Sequence, residues 1–345
     1  MKLSTALSYA GGFKEGADQV VALEKAGLDM VWVAEAYSYD AVSQLGYLAA
    51  KTTRVQLASG ILPIYSRTPT LLAMTAAGLD ALSEGRFVLG LGASGPQVIE
   101  GFHGVRYDKP LGRTREIIDI CRQVWRRERV QHEGKSYTIP LPPDQGTGLG
   151  KPLKLINHPV RERVPIYVAS LGPKNVQMTA EKADGWLPIF FNPSKAKDVW
   201  GDDLAAGAAK RDPELGPLEV VAGGLLAVGD GAERVRDMAR PMVALYVGGM
   251  GAKGRNFYND LMKRYGYEAE AEQIQDLYLD GKKDEAAALV PDEFLEQISL
   301  CGPEGYVKER LAAYKEAGVT NLNVTPVDKD PVALLEKVKG WTEDL

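Results

Sequence analysis

Few residues in this 345-residue chain are chemically versatile and also placed where a strand pattern runs out. Glu35, in "DMVWVAEAY", is the one carboxylate at the end of an early strand pattern. At the other strand ends the chain offers glycine: Gly60 in "LASGILP", Gly92 and Gly95 in "GLGASGPQV", Gly172 in "ASLGPKN". Glycine lets the backbone approach a ligand closely. "ASLGPKN" passes straight from strand to helix with Pro173 at the first helical position, where unpaired N–H groups attract anions. Lys174 adds positive charge beside that turn, although an ordinary helix start accounts for Gly-Pro equally well. "LASGILP" needs another account. Two large apolar side chains, Ile61 and Leu62, follow a glycine where the sheet ends, which reads as a β-bulge with an interior-facing isoleucine.

Other reactive residue types point away from metal or thiol chemistry. His103, His132 and His158 lack metal-ligand spacing, so no metal site is expected. Two cysteines cannot build a disulfide framework. Cys121 shares an apolar helix face with Ile117, Ile118, Val124 and Trp125 and reads as a small buried hydrophobe. Cys301 precedes "GPEG", a loop opening a helix, where a reactive thiol would have no neighbouring support. The formal net charge of -5 supplies no basic field for nucleic acid. No apolar run approaches the roughly 20 residues that span a bilayer. "LSTALSY" alternates like a strand rather than a signal-peptide core, so a cytoplasmic protein is expected.

The elements that carry these residues alternate. "KLSTALSY", "DMVWVAEA", "RVQLASGILP", "RFVLGLGAS", "VPIYVAS", "DGWLPIF", "LEVVAGGLLAVG" and "VTNLNVTPV" read as strands, each followed by a helical pattern. They are apolar almost throughout, as expected of strands covered on both faces. Helix follows the seventh strand at "GAERVRDMARPMVALYV". Eight βα units predict a single-domain TIM (β/α)8 barrel over 1–345. A typical barrel takes about 250 residues, leaving about 95 for insertions. One insertion follows strand 4, at about 130–163, and holds a hairpin turning on Glu133 and Gly134. The other follows strand 7, at about 250–300, and is helical and charged. Both are expected as a wall or lid over the strand C-termini, or else as surface packing or a subunit interface. Those C-termini are Tyr9–Gly12, Glu35–Tyr37, Ser59–Leu62, Gly92–Gln97, Ala169–Gly172 and Pro188–Phe190.

Taken in order, "GLDMVWVAEAY", "RVQLASGILPIYSRTP", "LDALSEGRFVLGLGASG", "PIYVASLGPKNVQMTAEKADGWLP" and "GPEGYVKERLAAYKEAGVTNLNV" resemble the luciferase-like superfamily. Within it they are similar to the coenzyme F420-dependent oxidoreductases. The resemblance covers most of the chain outside the two insertions. It implies a non-prolyl cis peptide at Gly60–Ile61, with the bulge backing the deazaflavin ring. It implies cofactor-phosphate contacts at Ala169, Ser170, Leu171, Gly172 and Lys174. A second backbone cradle is implied at Gly92, Ala93, Ser94, Gly95, Gln97 and Val98.

The sequence departs from the sugar-phosphate dehydrogenases of that family, which carry Asp-His at the end of strand 2 and Glu in the strand-4 loop. Here those positions read Glu35–Ala36 and Pro96. The remaining polar candidates are Glu35, Tyr37, Tyr65 and His103, with Glu35 the expected catalytic group. The implied activity is hydride transfer between coenzyme F420 and a small, largely apolar organic substrate, by a homodimer. The alternatives are an FMN-dependent monooxygenase and a non-catalytic barrel that binds a ligand or partner. Lys109, Arg113 and Arg115, with Lys174, are the cations expected to meet the acidic cofactor tail.

Overall fold

The computed structural model describes residues 1–8 and 11–345, so Tyr9 and Ala10 of the first expected strand end lie outside it. The first half runs β1 (Lys2–Ala6), α1 (Phe13–Lys25), β2 (Met30–Val33), α2 (Ala41–Lys51), β3 (Gln56–Ser59), β4 (Leu62–Pro63), α3 (Pro69–Leu82), β5 (Phe87–Gly92), α4 (Pro96–Gly101) and α5 (Pro110–Trp125). Next come β6 (His132–Glu133), β7 (Thr138–Ile139), β8 (Ile166–Val168), α6 (Pro173–Lys182), β9 (Gly185–Trp186), α7 (Ala196–Ala208) and β10 (Glu219–Val228). The chain then enters α8 (Arg240–Ala244), α9 (Phe257–Arg264), α10 (Glu268–Leu279), α11 (Lys283–Ala288) and α12 (Asp292–Gln297). It finishes with β11 (Leu300–Gly302), α13 (Glu304–Glu316), β12 (Asn321–Pro326) and α14 (Pro331–Glu343). Polar caps set several helix starts: Asp40 accepts from the Ser43 N–H, Thr68 from that of Leu71, and Asp330 from that of Ala333.

Eight parallel strands, β1, β2, β3, β5, β8, β9, β10 and β12, close into the expected barrel. Closure joins Lys2 of β1 to Asn321 of β12 and Gly185 of β9 to Glu219 of β10. Met30, Trp32, Ala58, Val88, Tyr167 and Val221 pack inside it, while a larger apolar layer lies between strands and helices. Among the described residues no helix is long and apolar enough to cross a membrane.

The insertions differ in detail from the sequence reading. Glu133 belongs to β6, so the hairpin turn spans 134–137, with the Gly134 N–H on the Tyr137 carbonyl at 2.9 Å. The hairpin lies along α5, where Glu116 accepts from the N–H groups of Lys135, Ser136 and Tyr137 and pairs with His132 at 3.1 Å. Burial pushes the Glu116 carboxyl up, but these donors outweigh it and hold it below the usual range. The segment expected as a regular helix after β10 is instead 3-10 over Ala232–Ala239, α over α8 and π over Leu245–Gly249. Both this 3-10 segment and α13 pack on β10. The end of the long insertion carries a further strand. β9 covers only the start of β10, and β11 pairs with the exposed remainder, Leu226 to Val228. Cys301 is therefore not an open loop thiol. It is buried in β11, its thiol faces the Leu225 carbonyl at 3.4 Å, and burial pushes it up to about 11.

At the top of β3 the ladder changes hands. The Ser59 hydroxyl donates to the Gly90 carbonyl at 2.9 Å and accepts from the Gly90 N–H at 2.8 Å. A Cβ at Gly90 would run into the Ser59 carbonyl oxygen, so only glycine fits. Beyond the Gly60–Ile61 peptide, which is cis as expected, β4 resumes pairing with β5. We expect Ser59→Ala to destabilise the barrel by about 2–3 kcal/mol, because two buried backbone groups lose their partner. A shift in the urea midpoint at constant slope checks this.

Candidate active site

Backbone brought together by small residues forms the floor of the barrel mouth. A Cβ on Gly60 would lie 3.2 Å from the Trp32 Cβ. A Cβ on Gly92 would lie 2.9 Å from Ile61 Cγ1 and 3.5 Å from the Ala169 Cβ. Ile61, Gly92 and Ala169, from three successive strand ends, therefore share one surface. The Ile64 N–H donates to the Gly92 carbonyl at 3.0 Å and locks the bulge to β5. This floor presents apolar side chains and bare backbone, which suits an aromatic ring system.

Two turns rise beside it. In the first, the indole N–H of Trp186 donates to the Ser170 carbonyl at 2.9 Å, and that of Trp200 to the Leu171 carbonyl at 3.1 Å. Arg264 of the long insertion reaches the same Leu171 oxygen at 3.4 Å. Ser170 turns its hydroxyl away, to Thr179 at 2.8 Å, so this residue offers backbone rather than side chain. With the carbonyls occupied, the N–H groups of Ser170, Leu171 and Gly172 have no acceptor among the described residues. They converge at the start of α6, where the helix dipole favours an anion. The Asn175 Oδ1 at the same helix start is also buried without a partner.

The second turn runs from Ala93 to Val98. Ser94 adopts a left-handed conformation with φ 57°, and its carbonyl accepts from the Tyr107 hydroxyl at 3.4 Å. Gly95 opens α4, followed by Gln97 and Val98 in its first turn.

Aromatic rings form a wall. Tyr65 packs on Tyr107 at 5.1 Å, and across the mouth Tyr246 packs on Tyr258 at 4.8 Å and Phe190 on Tyr246 at 5.6 Å. The Tyr265 hydroxyl donates to the Phe190 carbonyl at 3.0 Å and accepts from the Asn192 N–H at 3.2 Å. Tyr258 and Tyr265 of the long insertion take part in these contacts. Burial first, then Tyr107, raises the Tyr65 phenol far above its ordinary range. It acts as a donor, to the Asp108 carbonyl at 2.8 Å.

Glu35 is firmly held. Arg67 grips both carboxylate oxygens, at 2.6 and 2.9 Å, and the Ala41 N–H donates to Oε2 at 3.0 Å. The Glu35 side chain is 7% exposed and that of Arg67 15%. Tyr37 is exposed and faces Phe102 at 6.3 Å, while His103 packs edge-on against Phe102 at 5.2 Å with its Nε2 buried and unpartnered among the described residues.

The four expected cations divide. Arg113 pairs with Asp108 at 2.6 Å and lies over the rings of Tyr65 and Tyr137, and Arg115 pairs with Glu181. Lys109 reaches only the Lys135 carbonyl, at 3.2 Å. Lys174 is exposed and has no ion-pair partner among the described residues. It borders a hollow of about 240 Å³ shared with Arg115, Gln177, Glu181 and Lys210. A hollow of about 410 Å³ between α1 and α14 lies outside the barrel and away from these turns.

Comparisons with known proteins show what the chain is similar to. The family model described as luciferase-like monooxygenase matches residues 1–321. A Mycobacterium tuberculosis protein whose name assigns it provisionally to the coenzyme F420-dependent oxidoreductases is 43% identical over 331 residues, covering 94% of this chain and 95% of that one. A 5,10-methylenetetrahydromethanopterin reductase of Archaeoglobus fulgidus is 29% identical, covering 91% of each chain. In fold, the coenzyme F420-dependent tetrahydromethanopterin reductase of Methanopyrus kandleri superposes with a TM-score of 0.81 at 21% identity, over 99% of this chain and 98% of that one.

The paired carboxylate yields a test. Arg67→Met leaves Glu35 buried without its counter-charge and should cost about 3–5 kcal/mol, whereas Glu35→Gln, which keeps hydrogen bonding, should cost less. Thermal melts of both variants decide the order.

Proposed function

We propose, from the premise that the chain belongs to the luciferase-like monooxygenase family, that it is an oxidoreductase dependent on coenzyme F420. The observation that carries this reading is the floor of Ile61, Gly92 and Ala169 beside a turn of free N–H groups. The ring system would lie on the floor and the phosphate on Ser170, Leu171, Gly172 and the start of α6, with Ala93 to Val98 as the facing cradle. The N–H groups of Ser170, Leu171 and Gly172, which meet no acceptor among the described residues, suit a phosphate, and the apolar floor suits a deazaflavin. When bound, the cofactor supplies hydride chemistry. The chain binds, orients and walls it from water.

Lys174 is the cation best placed for the acidic tail, with Lys210 across the shared hollow. Arg113 and Arg115 are already neutralised by carboxylates and contribute shape more than charge. Glu35 keeps a place in the site as a positioning residue. Through Arg67 it ties the end of β2 to the segment after β4, and through Ala41 it fixes the entry to α2. The substrate side of the mouth favours a small organic molecule, handled by a protein that we take to be cytoplasmic and dimeric.

Titration followed by cofactor fluorescence tests the assignment. Coenzyme F420 should bind at least tenfold more tightly than FMN, a difference of about 1.4 kcal/mol. Lys174→Gln should weaken F420 binding roughly threefold to fivefold, the worth of about 0.7–1 kcal/mol of exposed charge pairing, and leave FMN unchanged. The Lys174 effect should fade at high salt. Equal affinity for the two cofactors would overturn the reading.

Gly92→Ala tests the floor separately. Its new Cβ displaces Ile61 toward the bound ring, so F420 affinity should fall about tenfold or more, roughly 1.4 kcal/mol. A thermal melt near that of the parent protein would confirm that the barrel survives.

A further inference from the structure

The barrel interior is less apolar than its strands suggest. The Ser4 Oγ, Trp32 Nε1, Asn321 Oδ1 and Asn323 Oδ1 atoms are all buried and have no hydrogen-bond partner among the described residues. They come from three adjacent strands. Register pairs Ser4 of β1 with Asn323 of β12 on one side and Met30 of β2 on the other, with Ala6 beside Trp32 and Lys2 beside Asn321. Residues paired across a parallel ladder point to the same face of the sheet, and alternate residues along a strand share that face. Met30 and Trp32 belong to the cluster inside the barrel, so Ser4, Asn321 and Asn323 face inward too. Neighbouring strands lie about 4.8 Å apart, which sets Ser4 beside Asn323, with Asn321 one inward-facing position below that row and Trp32 one above it.

Four orphaned polar atoms in one sector would be costly if the space between them were dry. Their chemistry is complementary to water. Two amide oxygens accept, the indole N–H donates, and the serine hydroxyl does either. Water between these rows can donate to the Asn321 and Asn323 oxygens and accept from the Trp32 N–H and the Ser4 hydroxyl, a buried water typically making about three such bonds. A metal cation would be repelled by the indole N–H, and an apolar occupant would leave all four unpaired.

We propose that this sector is a built internal water site beneath the mouth, and that it positions Asn323. The Asn323 carbonyl oxygen is buried while the residue as a whole is half-buried. Its Nδ2 makes no hydrogen bond among the described residues and is not among the buried orphans. Water held on Oδ1 turns the Nδ2 donors toward the mouth, where Ala6 and Thr325 are exposed on neighbouring positions. Asn323 then presents two N–H donors, on the opposite side of the mouth from Ile61, to an oxygen of whatever molecule occupies that space. The site is a property of the chain alone, so its test does not depend on the cofactor assignment.

The experiment uses the cofactor-free full chain. A crystal structure should show ordered water within hydrogen-bond distance of at least two of the four atoms. Ser4→Ala separates a wet site from a dry one. In a dry site the substitution removes an unpaired hydroxyl and leaves the melting temperature unchanged or raised. In a wet site the water loses a partner, and the melting temperature should fall by about 2–4 °C. Asn323→Ala should lower it as well, and the double variant should lose less than the sum of the two, because both act through the same water. A dry interior, a Ser4→Ala variant as stable as the parent, or strictly additive losses would each overturn the proposal.

Discussion

The close approach of two backbones at Ser59 and Gly90 governs the geometry of the mouth. A regular ladder would carry β3 straight past β5. Instead one serine hydroxyl serves both backbone groups of Gly90, and the chain beyond it is free to turn through Gly60 and Ile61 before pairing again as β4. Steric exclusion makes this possible, because the space a side chain on Gly90 would need belongs to the Ser59 carbonyl. The same economy recurs one level higher, where Gly92 leaves room for Ile61. The floor is thus shaped by the side chains that Gly90 and Gly92 lack.

Around that floor the functional turns are braced from behind. The indole groups of Trp186 and Trp200 and the guanidinium of Arg264 all take carbonyl oxygens of the Ser170–Leu171 segment. Each such bond orients a peptide plane, and orienting the carbonyl inward turns the adjoining N–H outward. The donors that meet an anion are therefore fixed by side chains that never touch it. Pre-organisation of this kind lowers the ordering cost of binding. It also gives the long insertion a structural purpose, since Arg264 and Tyr265 tie it to the turn and to the end of β9.

How much of this could be read from the sequence follows from the range of each interaction. The barrel was legible because eight apolar runs and their helices are local patterns. The cis peptide at Gly60–Ile61 was legible only through the family resemblance, because the residues alone read as a β-bulge, and Gly172–Pro173 alone read equally well as an ordinary helix start. Arg67 was not legible, because nothing local links it to Glu35, 32 residues earlier. Nothing local marks Trp186 and Trp200, and only the fold shows that their N–H groups have a task. β11 was missed because three residues carry no periodicity, and its strand character comes from the edge of β10 that β9 leaves open. The helix expected after β10 failed for a related reason. Gly248 packs against Tyr278, and the backbone there widens into a π turn that an amphipathic pattern cannot announce.

Closure of the barrel between β1 and β12 sets the order in which a growing chain can acquire its mouth. Lys2 pairs with Asn321 and Ser4 with Asn323, so the inner surface stays open along one seam until almost the whole polypeptide has been made. Until then the first strand has a neighbour on one side only and an unsatisfied edge on the other. Pairings so distant in sequence are slow to find. The emerging β1–β3 sheet must therefore wait, covered by α1 and α2, for a partner made more than 300 residues later.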